Sequence, residues 1–315
     1  MRPKGRGERG IFVTGLAPSQ KSPLKTRFSG TTDSATGKSF LVCDGLDVYC
    51  NELPIRPTIE YNEESFLPER FDVQQLIDGA RDLQIRLTQE QLEALGAYQH
   101  VLVEWNSEFN LTAITDDVGI QVRHFLDSFS CFQALESGER FSGKQVIDVG
   151  TGAGFPGLPL KLLCPGMKLT LLEATGKKVG FLEHVTTHLK MHDVTIKQGR
   201  AEELGQQAEH REQYDWAIAR AVADMPILAE YLLPLVKVGG RVLAQKGEGA
   251  PAEVQRGEWA IQQLGGRVRR LVPIELRGLA ETRYLVILDK IAATPLQYPR
   301  RPGMPNKRPL VPKTS

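Results

Sequence analysis

The sequence predicts an α/β fold with a mostly parallel, seven-stranded sheet, helices on both faces and a small helical cap in front. Strand-like apolar runs alternate with helical stretches from Lys144 onward, which is typical of parallel strands joined by crossover helices. The first run ends in a glycine-rich turn, residues 148–154. Only residues 275–283 separate the last two runs, which is too short for a helical crossover, so we expect a C-terminal antiparallel hairpin.

The 315 residues divide into four segments. Residues 1–66 lack helical or strand periodicity, and the first forty are basic and rich in Ser and Thr. We interpret them as an extension that is disordered or serves in targeting. The helical cap is expected at 67–140, the main α/β domain at 141–294, and a basic, proline-rich tail at 295–315.

The cap is predicted from apolar residues that recur at helical spacing. Thr88 followed by Gln91 forms a capping-box pattern, so the second helix should begin there. The apolar positions are Phe71, Leu76, Ile77, Ala80 and Leu83, then Leu92, Leu95, Tyr98, Leu102 and Trp105.

The sheet is predicted from seven short apolar runs that are bounded by polar and glycine-rich turns. These runs cover residues 145–149, 168–172, 193–198, 216–219, 240–245, 268–273 and 284–288.

Composition is that of a soluble enzyme with no overall nucleic-acid signature. The net charge is +1 and the isoelectric point is about 7.7, so any binding to nucleic acid must come from local patches. No apolar run approaches the length of a membrane span, and no secretory signal is visible.

The four cysteines lack the paired spacing of a zinc or disulfide framework. The cysteine spacing therefore indicates a reducing compartment, the cytoplasm, or an organelle if residues 1–40 are a transit peptide. We also expect the protein to be a monomer. The cysteines are Cys43, Cys50, Cys131 and Cys164.

The turn after the first strand predicts a cofactor site. Its glycines permit positive φ and leave the backbone open to a ligand, and the helix that follows presents its N-terminal N–H groups. Gly152, Gly154 and Gly157 match the dinucleotide fingerprint, with Glu173 near the position of a ribose-binding acid. A match of that kind is weak by itself.

The fuller arrangement of Asp148, the alternate glycines and Glu173 resembles motifs I and II of class I S-adenosylmethionine methyltransferases. Further segments make residues 70–312 similar to the RsmG (GidB) family, the bacterial 16S rRNA guanine-N7 methyltransferases. The segments are FNLTAI at 109–114, RHFLDS at 123–128, DVGTGAGFPGLPL at 148–160, GRAEE at 199–203, YD at 214–215 with ARAVA at 219–223, QKG at 245–247 and YPRRPG at 298–303.

The resemblance implies that S-adenosylmethionine is the cofactor and assigns residues to its methionine end. Gly150, Gly152 and Gly154 should line the methionine moiety. Asp148 should hold the loop or the amino group, and Phe155 should contact the cofactor.

Residues at the ends of later strands are assigned to the rest of the cofactor. Glu173 should bind the ribose hydroxyls, although family members often have Asp there, and Ala201 and Glu202 should contact the adenine edge. Arg220 ends the fourth strand and should direct a fixed cation to the sheet edge where ligands bind; a surface salt bridge is its alternative role.

The resemblance also implies the reaction, methyl transfer to N7 of a guanine in 16S rRNA or the small ribosomal subunit. Guanine N7 has an in-plane lone pair and no proton, so no general base is expected and no catalytic residue is assigned. Arg123, His124 and Lys246 are candidates for positioning the substrate, with packing roles for Arg123 and His124 as the alternative.

The C-terminal tail is expected to extend over the surface, because its prolines should prevent a helix. Its basic residues would then be available to bind RNA phosphates. The candidates are Arg300, Arg301, Lys307 and Arg308.

Two other functions are compatible with parts of the sequence, and one histidine pattern resembles a metal site. A nicotinamide-dependent oxidoreductase would explain the glycine turn, and a noncatalytic RNA-binding or ribosome-assembly module would explain the basic tail. His184, His188 and His192 recur every four residues, but no HExxH pattern accompanies them, so we expect a surface row and no metal site.

Overall fold

The computed structural model describes residues 31–32, 39–40 and 73–312. The two-residue strands β1 (Thr31–Thr32) and β2 (Ser39–Phe40) pair antiparallel. Apart from these pairs, the expected N-terminal extension lies outside the described residues, and so do the positions of Cys43 and Cys50.

The helical segment in front of the main sheet begins as the sequence predicts. Thr88 Oγ1 accepts the Gln91 N–H at 3.2 Å, and Gln91 Oε1 accepts the Thr88 N–H at 2.9 Å, so the capping box is confirmed. The elements are α1 (Gln74–Asp82), α2 (Gln89–Phe109), α3 (Asp117–Ile120), a π-helical turn (Gln121–Leu126), α4 (Asp127–Phe129) and a 3₁₀ turn (Ser130–Ala134).

The main sheet has seven strands in the order β5-β4-β3-β6-β7-β9-β8. Neighbours from β5 to β7 are parallel, whereas β9 is antiparallel to both β7 and β8. The predicted fold class and the C-terminal hairpin are therefore confirmed. The strands are β3 (Gln145–Val149), β4 (Lys168–Glu173), β5 (Val194–Gln198), β6 (Tyr214–Arg220), β7 (Val236–Lys246), β8 (Gly266–Ile274) and β9 (Arg283–Lys290).

Helices cover both faces of this sheet and follow the strands in alternation. They are α5 (Gly157–Leu163), α6 (Gly176–His188), α7 (Ala201–Leu204), α8 (Met225–Leu232), a 3₁₀ turn (Leu233–Leu235), α9 (Ala250–Gln263) and α10 (Met304–Lys307).

Each strand sends alternate side chains to one of two apolar cores. On β6, Trp216 and Ile218 join the core that contains α1, α2, α5 and α6, while Ala217 and Ala219 join the core under α8 and α9. The N-terminal helices thus share one core with a face of the sheet instead of enclosing a core of their own.

The C-terminal segment packs on the protein, contrary to the expected helix-free extension. The Arg211 guanidinium donates to the carbonyls of Gly205, Thr294, Pro295 and Tyr298. A short helix, α10, then forms with Pro305 in its first turn. Proline is tolerated there because the N–H groups of the first turn have no partner within the helix. The prediction that prolines exclude a helix was wrong for this reason.

None of the described helices combines the length and apolar character needed to cross a membrane.

We predict that Thr88→Ala lowers the free energy of unfolding by about 1 kcal/mol, because the first turn of α2 loses its side-chain acceptor. Urea unfolding at constant pH measures the difference. Thr187→Ala is the matched control, since Thr187 is an exposed threonine on α6. The control should be neutral or slightly stabilising; an equal loss in both variants would contradict the capping role.

Candidate active site

The turn between β3 and α5 is built from left-handed backbone. Gly150, Gly152 and Gly154 have φ angles of +68°, +63° and +96°, a region that glycine enters without steric cost. The Gly150 N–H donates to the Leu172 carbonyl at 2.8 Å, which fixes the turn against the neighbouring strand β4. The sequence prediction of a backbone-lined turn at the carboxyl end of β3 is confirmed.

The surroundings of two of these glycines differ. A Cβ atom at Gly150 would lie 2.9 Å from the side chain of Val222, so this glycine allows close packing inside the protein. At Gly152 the nearest atom to an added Cβ would be Lys178 Nζ, 4.0 Å away. Gly152 therefore presents bare backbone to open space, as a ligand that approaches the main chain requires.

The Asp148 side chain accepts hydrogen bonds from the turn. It is fully buried, and Oδ2 accepts the Thr151 hydroxyl at 2.6 Å and the Gly157 N–H at 2.8 Å. The other oxygen, Oδ1, has no hydrogen-bond partner among the described residues. Burial raises the pKa of this carboxyl to about 6, against the lowering effect of its two hydrogen bonds. The loop-holding role that the sequence suggested is present.

Glu173 lies at the end of β4 beside Gly152. Its Oε2 accepts the Gly152 N–H at 3.0 Å, and its Oε1 accepts the Thr175 N–H at 2.8 Å. Each carboxylate oxygen can accept a further hydrogen bond. The acid is thus fixed next to the exposed backbone of the turn, the position that a ribose-binding residue needs.

Ala201 and Glu202 begin α7, directly beyond β5. The Glu202 side chain is buried, and its Oε1 accepts the N–H of Gly303 in the C-terminal segment at 2.9 Å. One oxygen of the Glu202 carboxylate is thus used by the packed C-terminal segment. The contact of Ala201 and Glu202 with adenine stays a prediction.

Arg220 joins the sheet edge to the π-helical turn. Its guanidinium donates to Asp127 Oδ2 at 2.9 Å and to the Arg123 carbonyl at 2.8 Å, and it lies 5.1 Å from the centre of the Phe155 ring. The surface salt bridge considered as an alternative is instead a largely buried ion pair. Arg220 orders this edge of the sheet, and its contact with a cofactor stays a prediction.

His124 belongs to the same group of side chains. Its ring stacks on Phe155 at 4.4 Å, Arg220 donates to Nδ1 at 3.2 Å, and Nε2 lies 2.9 Å from Thr112 Oγ1. Burial, followed by the Arg220 charge, lowers the pKa of His124 to about 3. The imidazole is therefore neutral near pH 7 and is packed among Phe155, Arg220 and Thr112. Its role in positioning the substrate stays a prediction.

A cavity of about 410 Å³ opens beside this group of side chains. It lies where β6, β7 and β9 meet the π-helical turn, and its walls carry four basic and two acidic side chains, with Ile114 and Gln245 among the uncharged ones. The charged side chains are Arg123, Arg220, Lys246, Arg283, Asp127 and Glu253.

The two remaining positioning candidates differ in how free they are. Lys246 contacts the Ala223 carbonyl and lies 2.5 Å from Glu253 Oε2, so its charge is already paired. Arg123 is 42% exposed and is 3.9 Å from Glu281 Oε1. Arg123 is thus the more exposed and less tightly paired of these two candidates, and its contact with a substrate stays a prediction.

Several residues of the site were not assigned to it from sequence. Ala221 has φ of +55° in the cavity wall, a backbone conformation that nothing in its residue type indicates. Arg283 begins β9 and reaches the cavity only because β9 inserts beside β7. Tyr98 donates to the Ala153 carbonyl at 2.5 Å, although its helical spacing marked it only as a core residue.

Comparison with known proteins decides the family. The family described as rRNA small subunit methyltransferase G matches residues 91–277. Ribosomal RNA small subunit methyltransferase G from Alkaliphilus metalliredigens is 47% identical over 235 residues, which cover 75% of this chain and 97% of that protein. The protein of the same name from Roseiflexus sp. is 49% identical over 235 residues, 75% and 98% of the two chains.

The chain belongs to the GidB family of rRNA methyltransferases. Among solved structures, TrmN from Thermus thermophilus is 18% identical, with a TM-score of 0.42 and coverage of 54% of this chain and 53% of that one. The predicted family resemblance is confirmed, and the match spans the glycine turn, Glu173 and Arg220.

The basic tail of this GidB-family chain is only partly exposed. The Arg300 guanidinium pairs with the fully buried carboxylate of Glu230 at 2.7 Å. Arg300 is therefore used inside the protein, and its predicted availability to RNA was wrong. Arg301, Lys307 and Arg308 are exposed, so their RNA-binding role stays a prediction.

His184 and His188 of the histidine row lie on α6, which packs against α2. His184 packs on Trp105, with ring centres 5.1 Å apart, and His188 stacks on His184 at 6.1 Å. Within the described part of the chain, no group of three His, Cys, Asp or Glu side chains is placed to hold a metal ion.

We predict that Asp148→Asn removes a pH dependence of stability. The folded-state pKa of about 6 lies above the ordinary value of 3.8, so the stability linked to this carboxyl is present below about pH 4 and lost as pH rises to 6. The unfolding free energy of the variant minus that of the wild type should therefore rise by about 3 kcal/mol between pH 4 and 7. Urea titrations at several pH values measure it.

Asp215→Asn is the matched control, with the opposite sign. Burial would raise the pKa of Asp215, but Lys237 at 2.7 Å and the Gln145 N–H at 2.9 Å lower it below its usual value. Its stabilising contribution is present above the ordinary pKa and lost as pH falls. A flat difference curve for Asp148→Asn would show that the carboxyl titrates normally.

Proposed function

We propose that this enzyme transfers the methyl group of S-adenosylmethionine to N7 of a specific guanine in small-subunit (16S) rRNA. The observation that carries the proposal is the pairing of two features at one sheet edge. Gly152 presents open backbone between Glu173 and the buried Asp148, and the charged cavity lies beside it.

The residues of the turn fit the cofactor. Gly150, Gly152 and Gly154 would line its methionine end, and Glu173 would accept the ribose hydroxyls while it holds the turn through Gly152. Oδ1 of Asp148 accepts no hydrogen bond from a described residue. It places uncompensated negative charge next to the turn, which suits a cofactor that carries cationic groups. When bound, S-adenosylmethionine supplies the electrophilic methyl group.

Two further contacts complete the proposed cofactor site. The Phe155 ring is buried between His124 and Tyr98, at 4.4 Å and 5.3 Å, so its backbone is the part that would contact the cofactor. The backbone of Ala201 and Glu202 at the start of α7 would meet the adenine edge. Oε1 of Glu202 is used by the Gly303 N–H, so its other oxygen, Oε2, would make the side-chain contact.

The reaction needs positioning more than acid–base chemistry. Guanine N7 already carries a lone pair in the plane of the base, so no proton has to be removed. The ionisable groups of the cavity agree with this, since His124 is neutral and Asp127 and Glu253 are paired with Arg220 and Lys246. Orientation alone can lower a barrier by about 7–11 kcal/mol.

The cavity supports an RNA substrate. Arg123 at its rim would meet a phosphate or the base, and paired Lys246 would order the wall. A-form RNA hides N7 in a deep groove, so the target guanine would have to be unstacked or in a loop. Exposed Arg301, Lys307 and Arg308 would add phosphate contacts. We further propose that the enzyme acts as a monomer where small subunits are assembled, the cytoplasm or, with a transit peptide, an organelle.

A methylation assay tests the proposal. The purified protein is incubated with radiolabelled S-adenosylmethionine and small ribosomal subunits from a strain that lacks the family enzyme, and N7-methylguanine is mapped by reduction and aniline cleavage. One labelled guanine is expected. Cofactor binding without label on subunits or naked rRNA would reject the assigned substrate.

We predict that Gly152→Arg lowers the affinity for S-adenosylmethionine at least 100-fold, because the side chain would occupy the open space above the turn. Equilibrium dialysis with the labelled cofactor measures the affinity. Gly138→Arg is the control: Gly138 has φ of +81° and also faces open space, but it lies at the opposite edge of the sheet. Both variants should lose about 1–2 kcal/mol of stability from backbone strain, and only the first should lose the cofactor.

A further inference from the structure

A second cavity lies at the C-terminal end of α2, and none of the proposed cofactor-binding residues lines it. It has a volume of about 390 Å³, within the range of small-molecule sites. Val103 and Ser107, one helical turn apart, form one wall, and the loop of residues 110–115 forms the other. We call it the α2 pocket.

The α2 pocket has the chemistry of a base site and not of a phosphate site. Its described lining carries no charged side chain and combines apolar groups with amides and hydroxyls. The side chains of Asn110 and Thr115 make no hydrogen bond with any described residue, so their donors and acceptors are available to a ligand. Unstacked RNA bases are recognised by such apolar contacts and edge hydrogen bonds.

The α2 pocket adjoins the active-site cavity. Ile114 lines both. Thr112 lines the α2 pocket and lies 2.9 Å from His124, whose ring stacks on Phe155 beside the glycine turn. A strand with one base in the active-site cavity would therefore pass directly to the α2 pocket.

Cations border both cavities where a strand would run. Arg123 lies at the rim of the active-site cavity. Lys177 Nζ lies 5.7 Å from the ring centre of Phe109, the residue just before the pocket residue Asn110, and makes no ion pair with a described residue. Two cations outside an uncharged pocket suit a polyanion whose bases turn inward.

We propose that the α2 pocket binds the nucleobase next to the target guanine and so helps to select the methylated position. This inference rests on the proposed rRNA substrate. It assigns the loop of residues 110–115 a role in substrate choice that is separate from cofactor binding.

Two variants that fill the pocket test the assignment. Val103 is 41% exposed and Ser107 is exposed, so Val103→Trp and Ser107→Trp should leave the core intact. Either change should raise KM for undermethylated small subunits roughly tenfold or more, the scale of losing one bound base. The affinity for S-adenosylmethionine should stay within twofold. Val238→Trp, at an exposed valine on β7, is the control and should behave as wild type.

The outcomes separate this inference from the proposed function. An unchanged KM in both pocket variants, with an active wild type, would overturn the pocket assignment alone. No label with the wild type would overturn the rRNA substrate itself, and the pocket assignment with it. Base-specific chemical probing identifies the occupant: the wild type should protect a base adjacent to the target, and Val103→Trp should not. A raised KM with unchanged protection would mean that a ribosomal protein occupies the pocket, which also overturns the assignment.

Discussion

Burial of the main sheet on both faces is the constraint on which the rest of this structure depends. Alternate side chains of each central strand enter two different apolar cores, so a polar group in mid-strand would be buried without water. Chemistry is therefore confined to the strand ends. Asp148, Glu173, Arg220 and Lys246 all lie at the carboxyl ends of their strands, where parallel topology brings them to one edge.

That edge is held in place by ion pairs and hydrogen bonds between the protein's own residues. Arg220 links β6 to the π-helical turn through the Arg123 carbonyl and to α4 through Asp127. It also packs on Phe155, which stacks on neutral His124. With three hydrogen bonds to the Arg123 carbonyl, Asp127 and His124, the Arg220 guanidinium orders its neighbours. Among the described residues of this edge, Oδ1 of Asp148 accepts no hydrogen bond, Gly152 faces open space, and Arg123 at the cavity rim has only a 3.9 Å contact with Glu281.

The C-terminal segment has a similar internal role. Buried Glu230 and Glu202 need partners, and Arg300 and the Gly303 N–H supply them. Because a buried carboxylate without a partner is costly, these contacts decide how the segment packs. A tail that composition marks as an RNA-binding arm is thus in part a structural strap over α7 and α8, with only its remaining cations facing outward.

The sequence by itself determined the seven strands, their mostly parallel pairing, the glycine turn and the acids at the ends of β3 and β4. These follow from local periodicity and from backbone angles that only glycine adopts easily. Tertiary structure alone decided that β9 inserts between β7 and β8, which brings Arg283 to the cavity, and that Ala221 is left-handed. It also decided the partners of Arg220, Glu202 and Arg300. A residue's type states which charge it carries, but which distant group faces that charge depends on how the layers pack.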